Sequence, residues 1–243
     1  RHKANMVYGR IARRLRQTGY RNFADYLAYL RDNFRDESTN FINLITTNLT
    51  SFYRESHHFD FLRDTVIPEL KKKSDKKVRI WSSGCSIGQE AYTIAFTLAE
   101  AHLASSFDVK ILATDLDSNV VNTGEQGVYP ADSLMSVPDE TVERFFEKNR
   151  SGNQVRVKKS MRDLVHFKRL NLLEGWPMKG KFDVIFCRNV VIYFNRETQK
   201  ALFNRYADYL PVGGYLIIGH SESLNGLTDR FKSVGNTIYQ KIY

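Results

Sequence analysis

The sequence predicts an α/β protein: a mostly parallel sheet closed by an antiparallel C-terminal hairpin, with a small inserted β subdomain and an all-α N-terminal domain. Three observations carry this. From Val78 onward, apolar runs suited to buried strands recur at 78–82, 109–114, 164–168, 182–187 and 214–219, with helical patterns between several of them. Such alternation gives a parallel sheet covered on both faces. Near the C-terminus, Phe231-Lys232-Ser233-Val234 and Thr237-Ile238-Tyr239-Gln240-Lys241 bracket Gly235-Asn236, the pattern of a hairpin. Before Val78 the apolar residues recur at helical spacing.

In chain order, Val7, Ile11 and Leu15 recur at i, i+4 and i+8 and mark a first helix. Gly19 breaks it, and Phe23, Tyr26, Leu27 and Leu30 mark a second. Phe41, Ile42, Leu44 and Ile45 mark a third. The stretch 46–55 is dense in small polar side chains, after which Phe59, Phe61, Leu62, Val66, Ile67 and Leu70 resume a helix. The lysine-rich stretch 71–77 reads as a solvated turn. We draw the helical domain at residues 1–68 and the α/β domain at 69–243. The insertion occupies about 124–165: Gly127, Pro130 and Pro138 break the alternation, a short helix follows around 142–146, and Val155-Arg156-Val157 alternates like a strand.

Composition narrows the class. The chain has 243 residues and a formal charge of +9. Its apolar runs are far too short to span a bilayer, and no secretory pattern is visible; with only two cysteines, a reducing cytoplasm is the expected setting. Cys85 and Cys187, without neighbouring histidine clusters, give neither a disulfide framework nor a metal site. Up to residue 35, Arg1, Lys3, Arg10, Arg13, Arg14, Arg16, Arg21, Arg31 and Arg35 face only Asp25 and Asp32. That end suits an acidic partner, whether nucleic acid, anionic lipid or an acidic protein surface.

The most informative stretch is Val78-Arg79-Ile80-Trp81-Ser82-Ser83-Gly84-Cys85-Ser86-Ile87-Gly88-Gln89-Glu90-Ala91-Tyr92. An apolar strand enters a turn of small residues, and a helix leaves it. Glycines there let backbone N–H groups approach a ligand at the helix N-terminus. The turn lacks the three ordered glycines of a dinucleotide fingerprint and the lysine of a phosphate-cradling loop. It carries Glu90 instead, a carboxylate that suits a cationic ligand. One βα unit later, the strand 109–114 ends on Asp115, placed to accept the two hydroxyls of a ribose; helix capping is the bland alternative. Together these residues point to a nucleoside with a charged tail, with S-adenosylmethionine as the candidate.

Four segments in order resemble the CheR-type chemotaxis receptor methyltransferases. They are Thr46-Thr47-Asn48-Leu49-Thr50-Ser51-Phe52-Tyr53-Arg54-Glu55, Gly88-Gln89-Glu90-Ala91-Tyr92, Asn171-Leu172-Leu173, and Phe186-Cys187-Arg188-Asn189-Val190-Val191-Ile192-Tyr193-Phe194. Gly219-His220-Ser221-Glu222-Ser223 is similar to a fifth. The resemblance covers essentially the whole chain. It implies the class I, Rossmann-like methyltransferase fold and a protein-glutamate O-methyltransferase using S-adenosylmethionine, with S-adenosylhomocysteine as product. By motif, it assigns Asn48, Thr50 and Arg54 to cofactor contacts from the N-terminal side. Glu90 faces the methionine amino group, Asp115 the ribose, and Asn171 and Leu172 the adenine. Arg188 and Asn189 lie at the methyl-transfer pocket, and Arg54 and Tyr193 are the catalytic candidates. Arg10, Arg13, Arg14 and Arg16 would dock acidic receptor methylation helices.

Each residue has a plainer role available. Tyr193 could be a core aromatic, Arg54 could pair with Glu55 or Asp60 on a surface, and Asn171 could end a strand. His57 and His58 could suggest a metal, but no third ligand is evident in sequence and the chemistry needs none, so no metal is expected. The family's reaction makes a glutamate methyl ester, and a carboxylate with a reference pKa of about 4.3 needs no general base. One departure from the family stands out. Some members carry a glycine-rich loop in the inserted subdomain that binds a receptor C-terminal pentapeptide by strand pairing. Here Lys148-Asn149-Arg150-Ser151-Gly152-Asn153-Gln154-Val155 has a single glycine, which implies a pentapeptide-independent member. The alternatives are a nucleic-acid methyltransferase, suggested by the positive charge, and a non-catalytic cofactor-binding signalling module.

Overall fold

The computed structural model describes residues 2–243, with side chains from Met6 onward; Arg1 and the Lys3 side chain, part of the basic N-terminal cluster, lie outside the described residues. Three helices open the chain: α1 (His2–Thr18), α2 (Phe23–Asp32) and α3 (Phe34–Ile45). Gly19, at φ 80°, ends α1 as the sequence predicts. Asn22 caps α2 by accepting the Asp25 N–H at 2.9 Å. Thr46 leaves α3 in an extended conformation. The next helix runs from α4 (His57–Phe61) through a π-helical turn (Leu62–Val66) into α5 (Ile67–Leu70).

Strands and helices then alternate: β1 (Lys77–Ser82), α6 (Gln89–Glu100), α7 (Leu103–Ser106), β2 (Asp108–Asp115) and α8 (Ser118–Gln126). The insertion supplies β3 (Val128–Pro130), α9 (Asp139–Phe145), β4 (Phe146–Lys148), β5 (Gln154–Val157) and α10 (Lys159–Arg162). The main sheet resumes with β6 (Val165–Arg169), β7 (Val184–Cys187), α11 (Arg196–Asp208), β8 (Tyr215–Ile218), β9 (Phe231–Gly235) and β10 (Ile238–Lys241).

Seven strands form one sheet in the order β6-β2-β1-β7-β8-β10-β9. β6, β2, β1, β7 and β8 are parallel neighbours, and β10 runs antiparallel to both β8 and β9. The strand order reverses beside β1, so the loops after β1 and β7 open a crevice at the C-terminal edge. The expected hairpin is present, with a bulge at Ile238/Tyr239. A three-stranded antiparallel sheet, β3-β5-β4, forms the insertion. The sequence showed only its central strand.

Side chains alternate across the sheet with period two. Val78 and Ile80 of β1, Val184 and Phe186 of β7, and Tyr215 and Ile217 of β8 enter the core under α6. Trp81, Ile185, Cys187, Leu216 and Ile218 enter the core under α11. Burial of each such side chain stabilises the fold by roughly 1.5–3 kcal/mol. Buried Trp81 also donates its Nε1–H to Thr114 Oγ1 at 2.9 Å, which satisfies its one polar atom.

Candidate active site

The crevice opens into a cavity of about 470 Å³, within the size range of small-molecule sites. Asn48, Thr50, Arg54, Glu90, Asp115, Asn171, Leu172, Arg188, Asn189 and Tyr193 all line it. These ten residues come from both parts of the chain. The stretch after α3 forms one wall, and the ends of β1, β2, β6 and β7 form the others.

The turn after β1 is built differently from the sequence expectation. Its N–H groups are largely spent on holding the turn: Ser83 donates to Phe186 O, Cys85 to Thr114 O, Gly88 to Cys85 O, and Ser86 to Asp115 Oδ2. A Cβ at Gly84 would lie 2.3 Å from Val190 Cγ2, so that glycine admits the β7 loop. Gly88 starts α6 at φ 90° and packs on Phe167. The glycines thus serve close packing and turn geometry rather than a bed of open donors.

Asp115 lies at the end of β2, beside that turn. Its Oδ2 accepts the Ser86 N–H at 2.8 Å and its Oδ1 the Asp117 N–H at 3.1 Å. Burial raises its pKa, and the backbone donors oppose the rise. Helix capping falls to Asp117 instead, whose Oδ1 takes the Asn119 N–H. Asp117 Oδ2 also accepts from Thr46 Oγ1 at 2.7 Å and Asn48 Nδ2 at 2.9 Å. Asn48 therefore clamps the N-terminal wall to the end of β2.

Glu90 and Arg188 face each other deep in the cavity. Glu90 Oε1 accepts from Ser82 Oγ at 2.6 Å, and Oε2 lies 2.9 Å from Arg188 Nη1. Arg188 Nη2 bonds the Arg54 carbonyl and lies 3.4 Å from Glu55 Oε2. Glu55 in turn takes the His220 backbone N–H at 3.1 Å and faces His220 Nδ1 at 2.9 Å. Burial pushes the Glu55 carboxyl up, but His220 and the Arg188 and His58 charges outweigh it and hold it at about 2. Tyr53 and Glu55 sit at φ 54° and 55°, a sharply bent backbone that turns Arg54 toward the cavity.

Arg54 itself donates to the Leu49 carbonyl at 2.8 Å, and its Nε lies 3.9 Å from Glu55. Tyr193 is half-exposed, in a short 3₁₀ turn (Val191–Tyr193) at the cavity edge. That exposure removes the core-aromatic alternative. Asn171 folds into an Asx turn, accepting the Leu173 N–H at 3.0 Å and donating to Glu174 Oε1. Glu55, His57 and His58 bring ligand atoms within 4.8 Å of one another. Glu55 is thus the third group that the sequence reading did not see, although its oxygens already face His220 and Arg188.

The N-terminal arginines divide. Arg10 bonds the carbonyls of Ile45 at 2.9 Å, Leu44 at 3.4 Å and Thr46, which closes the C-terminus of α3. Arg14 makes a two-point pair with buried Glu37 at 2.8 and 2.7 Å, and Tyr26 Oη donates to the same carboxylate. The Arg14 hydrogen bond outweighs burial and holds Glu37 at about 2. Arg13 and Arg16 are exposed. The charged groups of Arg10 and Arg14 are thus engaged within the helical domain.

Glu222 is another residue that sequence reasoning missed. Buried at 6% exposure, it accepts backbone N–H groups from Gly219 and from the loop after β7. Its motif Gly219–Ser223 was visible, but backbone partners leave no mark in a sequence.

The cavity fits S-adenosylmethionine. Its walls include apolar Ile42, Leu116, Leu170 and Leu172, and it presents two carboxylates, Glu90 and Asp115, whose oxygens keep lone pairs beyond the bonds described. A Rossmann-like sheet with an antiparallel last strand, carrying such a cleft at its switch point, defines an S-adenosylmethionine-dependent methyltransferase of class I. Residues 48–240 match the CheR methyltransferase SAM-binding domain, and residues 1–46 match the CheR methyltransferase all-alpha domain. The chain belongs to the CheR methyltransferase family. It is 43% identical to chemotaxis protein methyltransferase 2 of Pseudomonas aeruginosa, over 98% of this chain and 85% of that one. It is 40% identical to the chemotaxis protein methyltransferase of Borreliella burgdorferi, over 92% and 82%. The Escherichia coli chemotaxis protein methyltransferase is 38% identical, over 98% and 83%.

Proposed function

We propose that this chain is a protein-glutamate O-methyltransferase that esterifies glutamate side chains on the cytoplasmic methylation helices of chemotaxis receptors, for sensory adaptation. The observation that carries the reading is that Arg54 and Tyr193 line one cavity with Glu90 and Asp115. The relatives' description as chemotaxis protein methyltransferases supports the receptor as substrate.

S-adenosylmethionine supplies a methyl group on a cationic sulfur. Asp115 takes the ribose hydroxyls, Glu90 the amino group of the tail, and Asn171 and Leu172 the adenine. Asn48 and Thr50 bound the cofactor from the N-terminal wall. Arg188 and Asn189 shape the methyl end. The substrate carboxylate arrives ionised, so the protein provides alignment rather than a base. Arg54 holds that carboxylate through charge-assisted hydrogen bonds, and the Tyr193 hydroxyl orients its second oxygen. Arg13 and Arg16 offer the exposed positive charge for an acidic receptor helix. The short loop between β4 and β5 has Gly152 at φ 72° and the Asn149 N–H bonded to Gln154 O. We propose that this tight connection works without receptor-tail pairing.

The test is incubation with methyl-labelled S-adenosylmethionine and receptor-rich membranes. Base-labile label on receptor glutamates supports the reading. Stable label on nucleic acid, or cofactor binding with no transfer, overturns it.

A further inference from the structure

Glu222 joins two strand ends at the methyl-transfer side of the cavity. It lies in the turn after β8 and is almost fully buried. Its Oε2 accepts the N–H groups of Gly219 at 2.7 Å and Asn189 at 2.9 Å. Its Oε1 accepts those of Val190 and Val191 at 2.8 Å each, and of Ile192 at 3.4 Å. Four successive N–H groups of the β7 loop therefore converge on one carboxylate. Such a concave row of backbone donors normally binds an anion, and here the chain supplies its own. The bonds are charge-assisted, so each is stronger than a neutral one.

The geometry is otherwise hard to hold. Asn189 sits at φ 59°, in the left-handed region. Gly219 is needed because a Cβ there would lie 2.5 Å from Asn189 Nδ2 and 2.9 Å from its backbone nitrogen. The loop so pinned carries Asn189 and, through the 3₁₀ turn, Tyr193 into the cavity. Asp115 and the Glu90 side chain reach the cavity from other elements.

We propose that Glu222 is a positioning residue for methyl transfer, holding Asn189 and Tyr193 in place through the backbone of residues 189–192. This rests on the methyltransferase reading of the cavity. The bound anion is internal, so its loss should misplace the reacting end of the site and spare the adenosine end.

The experiment compares wild type with Glu222→Gln, and with Gly219→Ala as an independent route to the same displacement. Amide hydrogen exchange, S-adenosylhomocysteine affinity by calorimetry, and kcat with receptor membranes are measured on each. In Glu222→Gln, one amide group would face N–H donors it cannot accept from. Amides 189–192 should exchange faster while β1 and β2 stay protected. S-adenosylhomocysteine affinity should stay within about threefold while kcat falls by about tenfold or more, the size expected for misalignment. Normal kcat with loosened amides, or unchanged exchange in both folded variants, overturns the proposal. So does a parallel loss of kcat, affinity and protection across the sheet, which marks a general structural role. A wild type without activity on receptors refutes the substrate reading instead, and the exchange pattern still decides whether Glu222 holds the loop.

Discussion

Arg188 Nη1 lies 2.9 Å from Glu90 Oε2, and their side chains are only 3% and 10% exposed. The pair ties the loop after β7 to the first turn of α6 across the mouth of the sheet. Arg188 also reaches the Arg54 carbonyl and Glu55. One guanidinium therefore sets the spacing between the Glu90 carboxylate and the backbone at Arg54. Arg188→Ala is expected to lower stability by about 3–5 kcal/mol, because buried carboxylates lose their counter-charge. Urea unfolding measures this, and a loss below about 1 kcal/mol would mean that water replaces the pair.

Asp115→Asn should weaken S-adenosylhomocysteine binding by about 1–3 kcal/mol. The amide keeps one acceptor for the Ser86 or Asp117 N–H and loses the second. The turn after β1 should loosen with it, since Ser86 is anchored there. Calorimetry with unchanged affinity would remove Asp115 from the ribose.

Charge reversal in α1 should separate docking from folding. Arg13→Glu and Arg16→Glu are expected to weaken receptor engagement at low salt, with the effect shrinking as salt rises. Arg14→Glu should destabilise the helical domain instead, because it sets two carboxylates together at Glu37. Methylation rates across a salt series, with melting curves for each variant, distinguish the two. Equal effects from all three reversals would contradict the division.

Stability should fall on mild acidification because of His58. Its side chain is fully buried, and Nε2 lies 3.0 Å from Asn236 O and from Thr237 Oγ1. Burial, then the Arg188 and His57 charges, lower its pKa from the ordinary 6.5 to about 4. Between those values the unfolded chain binds more protons. Stability is therefore full above 6.5 and is lost as pH falls toward 4, by at most about 3 kcal/mol. Glu37 and Glu55, each held at about 2 against an ordinary 4.5, add a second loss lower down. Urea midpoints taken from neutral pH down to about pH 4 should drop in wild type and flatten in His58→Gln. A wild-type profile that is level across this window would mean that His58 is charged in the fold.

The main sheet was legible because its strands are apolar runs with sharp ends. β1, β2 and β10 fall where Val78, Val109 and Ile238 marked them, and Gly235-Asn236 marked the hairpin turn. The insertion was less so. β3 ends on Pro130, and β4 has three residues directly after α9, so neither carries a period to read. The π-helical turn at Leu62–Val66 interrupts a pattern that looks continuous. The cavity residues were legible through motifs rather than periodicity. The engagements of Arg10 and Arg14 were not, because their partners lie 23 to 37 residues downstream. Glu222 was invisible for a related reason: backbone amides bind it, and every residue except proline has one.

Under the proposed function, Arg54 aligns a receptor carboxylate for esterification in this cavity. Mass-spectrometric mapping of receptor peptides, after incubation with S-adenosylmethionine and either wild type or Arg54→Ala, tests it most directly. Methyl esters are expected on glutamates of acidic helical segments with wild type, and at least about tenfold fewer with a folded Arg54→Ala that still binds S-adenosylhomocysteine. Methyl groups on lysine or on nucleic acid, or equal esterification by both proteins, would contradict it.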